Sequence, residues 1–171
     1  MYVIGEKNIF AIEWALEKFI HPYYYGYLCF WINGSKVGNL EEISTLSICA
    51  NYLKDFLENK KLRNYEGSSK MSKETLFYQI HGIFFDGSHK DSDAYSLQGS
   101  FSDIYWLDEV GEYSFRDKIS MILVNEFELE RERLIWKELD NGRISEYFLP
   151  LRYFETVAVK FLTAHEVGFQ D

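Results

Sequence analysis

Apolar residues enter the chain in aromatic-rich blocks whose period changes near residue 44. Residues 9–19, "IFAIEWALEKF", are followed by "YYYGYLCFWI" and then by a short apolar segment after Asn33-Gly34. An Asn-Gly pair between two such blocks marks a tight hairpin, because both residues tolerate positive φ. The pattern predicts strands over roughly 9–18, 24–32 and 36–39, joined as an antiparallel meander.

Over "STLSICANYLKDFLENK" the period becomes helical. Leu46, Cys49, Ala50, Leu53, Phe56 and Leu57 fall on one face, with Ser44 or Thr45 available as N-cap. After a polar connector, Ser72 can cap a second helix over "KETLFYQIHGIFF", with Leu76, Ile80, Ile83 and Phe84 facing inward. "DGSHKDSDAYSLQGS" is the longest polar segment and reads as a surface loop. Strand character then returns. "FSDIYWL" reads as a short strand, "DEVGEYSFRD" as a loop and "KISMILVNEF" as a strand with an apolar centre. "RERLIWKE" reads as its partner, and "RISEYFLP" as a strand ending at Pro150. The last element, over about 151–166, places Phe154, Val157, Ala158, Phe161, Leu162 and His165 along one helical stripe. No repeat and no boundary emerges. The expectation is a single α+β domain over 1–171, an antiparallel sheet with helices packed on one side.

One stretch resists a simple reading. In "VNEFELERERLIWK", Glu126, Glu128, Glu130 and Glu132 recur at every second position. In a helix, Glu126–Glu130 and Glu128–Glu132 would be like-charge pairs one turn apart, which destabilise it. Apolar, β-branched and aromatic residues dominate both flanking arms, "MILVNEF" and "ERLIWKE", so a hairpin with its charges on an exposed tip is expected. These four glutamates are the candidate partner-binding residues.

Composition sharpens this picture. With 18% aromatic residues, 2 Pro and 11 Gly in 171 residues, the chain has the apolar surface for a compact core. Its 27 acidic against 18 basic residues give a net charge of -9, which repels nucleic-acid phosphates and attracts a basic partner. Cys29 and Cys49 have no ligand-like spacing and read as small core hydrophobes in a reducing compartment. The N-terminal residues lack a signal-peptide pattern, and no run approaches the ~18 apolar residues of a membrane span. A cytoplasmic protein without membrane or nucleic-acid partners is therefore expected.

Catalytic chemistry is sparse. His21, His81, His89 and His165 are scattered, and His165-Glu166 lacks the second histidine of a zinc-protease helix. His89 with Asp86, Asp91 and Asp93 misses the calcium-loop spacing and its distal glutamate. There is no GxSxG elbow, Gly-rich phosphate loop or dinucleotide fingerprint, and "NGSKVG" is a hairpin turn with no helix after it. Trp14, Tyr27, Phe30 and Trp31 lie in predicted strands and read as core rather than as a stacking platform. No enzyme activity, metal or cofactor is expected.

Four segments in order, "IGEKNIFAIEW", "INGSKVG", "ERLIWK" and "YFLPLRYF", resemble immunity family forty-two of bacterial polymorphic-toxin and contact-dependent inhibition systems. The resemblance spans nearly the whole chain; the acidic tip and the 86–100 loop depart from the family pattern. It implies an inhibitor that binds the C-terminal domain of its cognate toxin in the cytoplasm, and it implies no catalytic residues. Many such toxin domains are basic nucleases, which suits an acidic inhibitor. Two other classes stay open on the residues alone: a small enzyme built on scattered carboxylates, and a cytosolic adaptor or structural subunit.

Overall fold

The structure, a computed structural model, describes residues 1–85, 104–115 and 117–168. Five strands form the first sheet: β1 (Tyr2–Glu6), β2 (Phe10–Ile20), β3 (Tyr23–Ile32), β4 (Ser35–Val37) and β5 (Ser44–Thr45). The first four run antiparallel in chain order, and β5 pairs with the N-terminal part of β3, at Tyr25 and Gly26. The expected meander is present, but β1 was not anticipated. It is an edge strand whose residues are mostly exposed, so it leaves no alternating signal. At its Gly5 (φ 98°), a Cβ would stand 2.4 Å from the Phe10 carbonyl oxygen, so the first hairpin closes only around a glycine. Asn33 and Gly34 both have positive φ, 49° and 76°, as the β3–β4 turn requires.

A separate three-stranded antiparallel sheet is built from β6 (Ile119–Glu126), β7 (Arg131–Glu138) and β8 (Ile144–Pro150). The described strands therefore make two sheets where one was expected. The strand expected at 101–107 is also corrected. Of its described residues, 104–107, Ile104 and Tyr105 are helical and Trp106 pairs through a single bridge to Ile122. The loop expected next contains a 3-10 segment, Asp108–Ser114. The expected 86–100 loop and the His89 set lie outside the described residues.

The helices described in full are α1 (Leu46–Glu58), α2 (Lys73–Phe85) and α3 (Tyr153–Gly168). The predicted stripe of α1 is buried at Leu46, Cys49, Ala50, Leu53 and Phe56. Thr45 occupies its N-cap without a side-chain cap; instead its own N–H donates to the Glu112 carboxylate. Ser72 caps α2 as expected, its Oγ accepting the Thr75 N–H at 3.1 Å. Leu76, Phe77 and Ile80 are buried on α2, while the side chains of Ile83, Phe84 and His165 lie outside the described ones.

Alternation along β6 explains why both faces of the second sheet are covered. Met121 and Leu123 enter the main core with Phe10, Phe30, α1 and the α3 residues Phe154, Val157, Ala158 and Phe161. Ile122 and Val124 point the other way, into a second cluster with α2 and Trp106. The helices thus do not share one side: α1 and α3 serve the main core, and α2 covers the far face of the second sheet. Trp14 and Phe30 are core residues as expected, whereas Tyr27 and Trp31 are only half-buried. Trp31 lies on the other face of the first sheet, where its indole N–H donates to Glu13 at 2.5 Å. No helix among the described residues is long and apolar enough to cross a membrane.

Candidate functional site: the β6–β7 turn and an acidic cleft

The glutamate-rich stretch within "VNEFELERERLIWK" is a β-hairpin. β6 and β7 pair as a hairpin through Glu126↔Arg131, Asn125↔Glu132 and Val124↔Arg133. Between them Phe127–Leu129 make one 3-10 turn, and Glu130 closes it at φ 49°. Glu128 and Glu130 stand exposed on that turn, beside the exposed apolar side chains of Phe127 and Leu129. Glu126 and Glu132 do not. Each is only 3% exposed, which corrects the expectation of a four-glutamate exposed tip.

The cause is the two-residue period of the strands. Glu126 shares the α2-side face with Val124 and Arg133, whereas Glu132, opposite Asn125, faces the main core. On its face, Glu126 accepts from Arg131 Nε at 2.6 Å through Oε2 and lies 3.6 Å from Arg133 Nη1 through Oε1. Arg133, also buried, donates from Nη1 to the carbonyls of Ser68 and Met71 and pairs through Nε and Nη2 with Glu146. It clamps the 64–71 segment against the hairpin. On the opposite face, Glu132 accepts the Phe154 N–H at 2.9 Å and so caps the N-terminus of α3. Burial pushes its carboxyl up to about 7, against the opposing pull of that hydrogen bond and of nearby Arg63. Arg63, 1% exposed, is brought down to about 10 by the same desolvation, and its guanidinium donates to the carbonyls of Phe56 and Ile104.

A second negative feature was not legible in the sequence. Asp108, Glu109, Glu112 and Asp117 line a cleft of about 460 Å³ together with Ile48, Tyr52, Ile119 and Leu139. No cation lines it. Two of these carboxylates are engaged internally: Asp108 accepts the Met121 N–H, and Glu112 accepts that of Thr45. Burial pushes Asp108 up to about 7. The segment "DEVGEYSFRD" reads as a polar loop, and only the positive-φ kinks at Glu112 (44°) and Asp117 (58°) gather its acids around one space.

A small enzyme would need a sheltered carboxylate beside a reactive partner. Glu132 is sheltered and lines a recess of about 240 Å³, but its carboxylate is committed to the α3 cap. Among the described residues no group of His, Cys, Asp or Glu could hold a metal ion. Cys29 and Cys49 are buried thiols raised by desolvation, Cys29 to about 12, so neither is poised as a nucleophile.

An α+β domain with structural carboxylates, an exposed turn and a strongly negative charge has the properties of a protein-binding module. The family comparison makes the class specific: residues 1–164 match the model described as Immunity protein 42, and the chain belongs to that family. It is an immunity protein, of the kind that binds and neutralises a cognate toxin. The fold is similar to that of the crystal structure of CdiI from Burkholderia dolosa AUO158. That likeness has a TM-score of 0.72 at 18% identity, over 95% of this chain and 99% of that one. No curated protein sequence matches the chain.

Proposed function

We propose that this immunity protein acts in the cytoplasm against a basic toxin domain of a contact-dependent growth-inhibition system. Its negative charge steers the encounter, and binding rather than turnover neutralises the toxin. The observation supporting this most directly is the net charge of -9, with Glu128 and Glu130 exposed on the β6–β7 turn. A field of that sign raises the association rate with a basic partner and is screened by salt. Glu126 and Glu132 take no direct part in steering, because one is paired in the sheet and the other caps a helix.

The test replaces Glu128 and Glu130 together with Gln and measures association with the cognate toxin domain across a salt series. The expected result is a drop of roughly two- to tenfold in association rate at low salt, shrinking as salt rises. An association rate indifferent to both charge and salt would refute steering. Failure of the unaltered protein to bind the toxin would refute the function as a whole.

A further inference from the structure

Phe127 and Leu129 are 44% and 49% exposed, although both are large apolar side chains on a turn that directly follows a buried strand. Single exposed apolar residues are ordinary. These two, however, line one recess of about 440 Å³ together, against residues 64–70, with Lys70 and Glu66 on the facing wall. Phe148, 39% exposed, stands on β8 with the Arg131 guanidinium 3.9 Å over its ring, and Glu126 holds Arg131 there. Three large apolar side chains thus remain in water around this turn.

The backbone that presents them is tied on both sides. The Glu130 N–H donates to the Phe127 carbonyl and the Glu130 carbonyl accepts the Leu151 N–H, both at 3.1 Å. The Asn125 N–H donates to the Arg63 carbonyl at 2.7 Å, and Arg133 holds the carbonyls of Ser68 and Met71. Residues presented on a fixed backbone lose little freedom on binding, so more of their burial appears as affinity. Glu128 and Glu130 alternate with the two apolar residues and are exposed beside them. An apolar centre edged by carboxylates complements an apolar pocket edged by basic residues. A second copy of this chain does not fit, because a two-fold contact would set the same carboxylates against each other. Leu16, Phe19 and Ile20 on β2 are also exposed, but the charges between them, Glu17 and Lys18, cancel, and Phe19 is already stacked on Tyr24 at 4.5 Å.

We infer that the β6–β7 turn anchors the toxin, with Phe127 and Leu129 entering an apolar pocket whose basic rim meets Glu128 and Glu130. The inference rests on the toxin-binding reading above and adds a role that steering does not supply. Steering sets the association rate and fades with salt. Buried apolar anchors set the dissociation rate and persist when salt screens the field.

The test makes Phe127→Ala and Leu129→Ala, singly and together, with Ile20→Ala as a control at another exposed apolar residue. Circular dichroism and melting confirm that each variant is folded, and dissociation of the cognate toxin domain is measured at high salt. Each turn variant is expected to speed dissociation roughly tenfold with little change in association, while Ile20→Ala changes neither. Unchanged dissociation in both folded turn variants overturns the inference while leaving toxin binding intact. Faster dissociation confined to Ile20→Ala overturns it too and moves the interface to β2; confined to Glu109→Gln with Asp117→Gln, it moves the interface to the acidic cleft. Faster dissociation of the turn variants with an association rate indifferent to salt supports the anchor and refutes steering alone. A wild-type protein that binds no toxin overturns both readings.

Discussion

Phe154 provides the sharpest test of the packing described above. It opens α3, is fully buried, and places its ring 5.0 Å from Phe10, 5.7 Å from Phe56 and 6.5 Å from Phe30. One side chain therefore joins β2, β3 and α1 to the C-terminal helix. Truncating a buried phenylalanine to alanine costs about 3–5 kcal/mol in lost transfer energy and cavity formation. Aromatic pairs add about 0.5–1.5 kcal/mol each beyond their area, so Phe154→Ala belongs at the upper end, about 5 kcal/mol. A domain of this size holds about 5–15 kcal/mol in total, so the variant should fold marginally or melt about 10–20 °C lower. Urea denaturation followed by far-UV circular dichroism, with Phe154→Leu as a milder companion, measures the loss. A loss below about 1 kcal/mol for Phe154→Ala would show that α3 does not seal the core through this ring.

Two further predictions follow from burial. Phe161, fully buried with its ring edge-on to Trp14 at 5.8 Å, should cost about 3–5 kcal/mol as Phe161→Ala, and an unchanged melting profile would contradict its placement. Glu132 and Asp108 are both raised to about 7 from ordinary values of 4.5 and 3.8, so the folded state retains protons that the unfolded chain has released. Stability should therefore fall, by about 2 kcal/mol or more, as pH rises from about 4.5 through about 7. Melting temperatures across that window check the sign, and Glu132→Gln should flatten the slope; a midpoint rising with pH would contradict the burial argument.

How far the sequence determined these expectations varied with the range of the contacts. Local signals sufficed for the Asn33-Gly34 turn, the faces of α1 and α3 and the β6–β7 hairpin, because period and turn chemistry act over a few residues. The short edge strand β1 escaped because exposed residues carry no alternation. Residues 104–107 looked like a strand because Ile104, Tyr105, Trp106 and Leu107 are all buried, and an apolar run this short does not distinguish strand from helix. At the turn, the hairpin was legible but the fates of its glutamates were not. Glu126 is held by Arg131 and by Arg133, whose own place is set by Ser68, Met71 and Glu146, and Glu132 accepts from Phe154; those more distant neighbours are brought close only by the tertiary fold. The acidic cleft was hidden for the same reason.

The position of α3 has a consequence for synthesis. This helix packs on β1 and β2, which are made well before it, and on α1. Until it emerges from the ribosome, Phe10, Phe30 and Trp14 lack part of the surface that buries them in the finished molecule. A nascent or prematurely terminated chain would expose that aromatic face and be handed to chaperones and proteases instead of accumulating. Protection of a cell would accordingly track the number of chains that include α3, and a stop codon just before residue 153 should behave like loss of the protein.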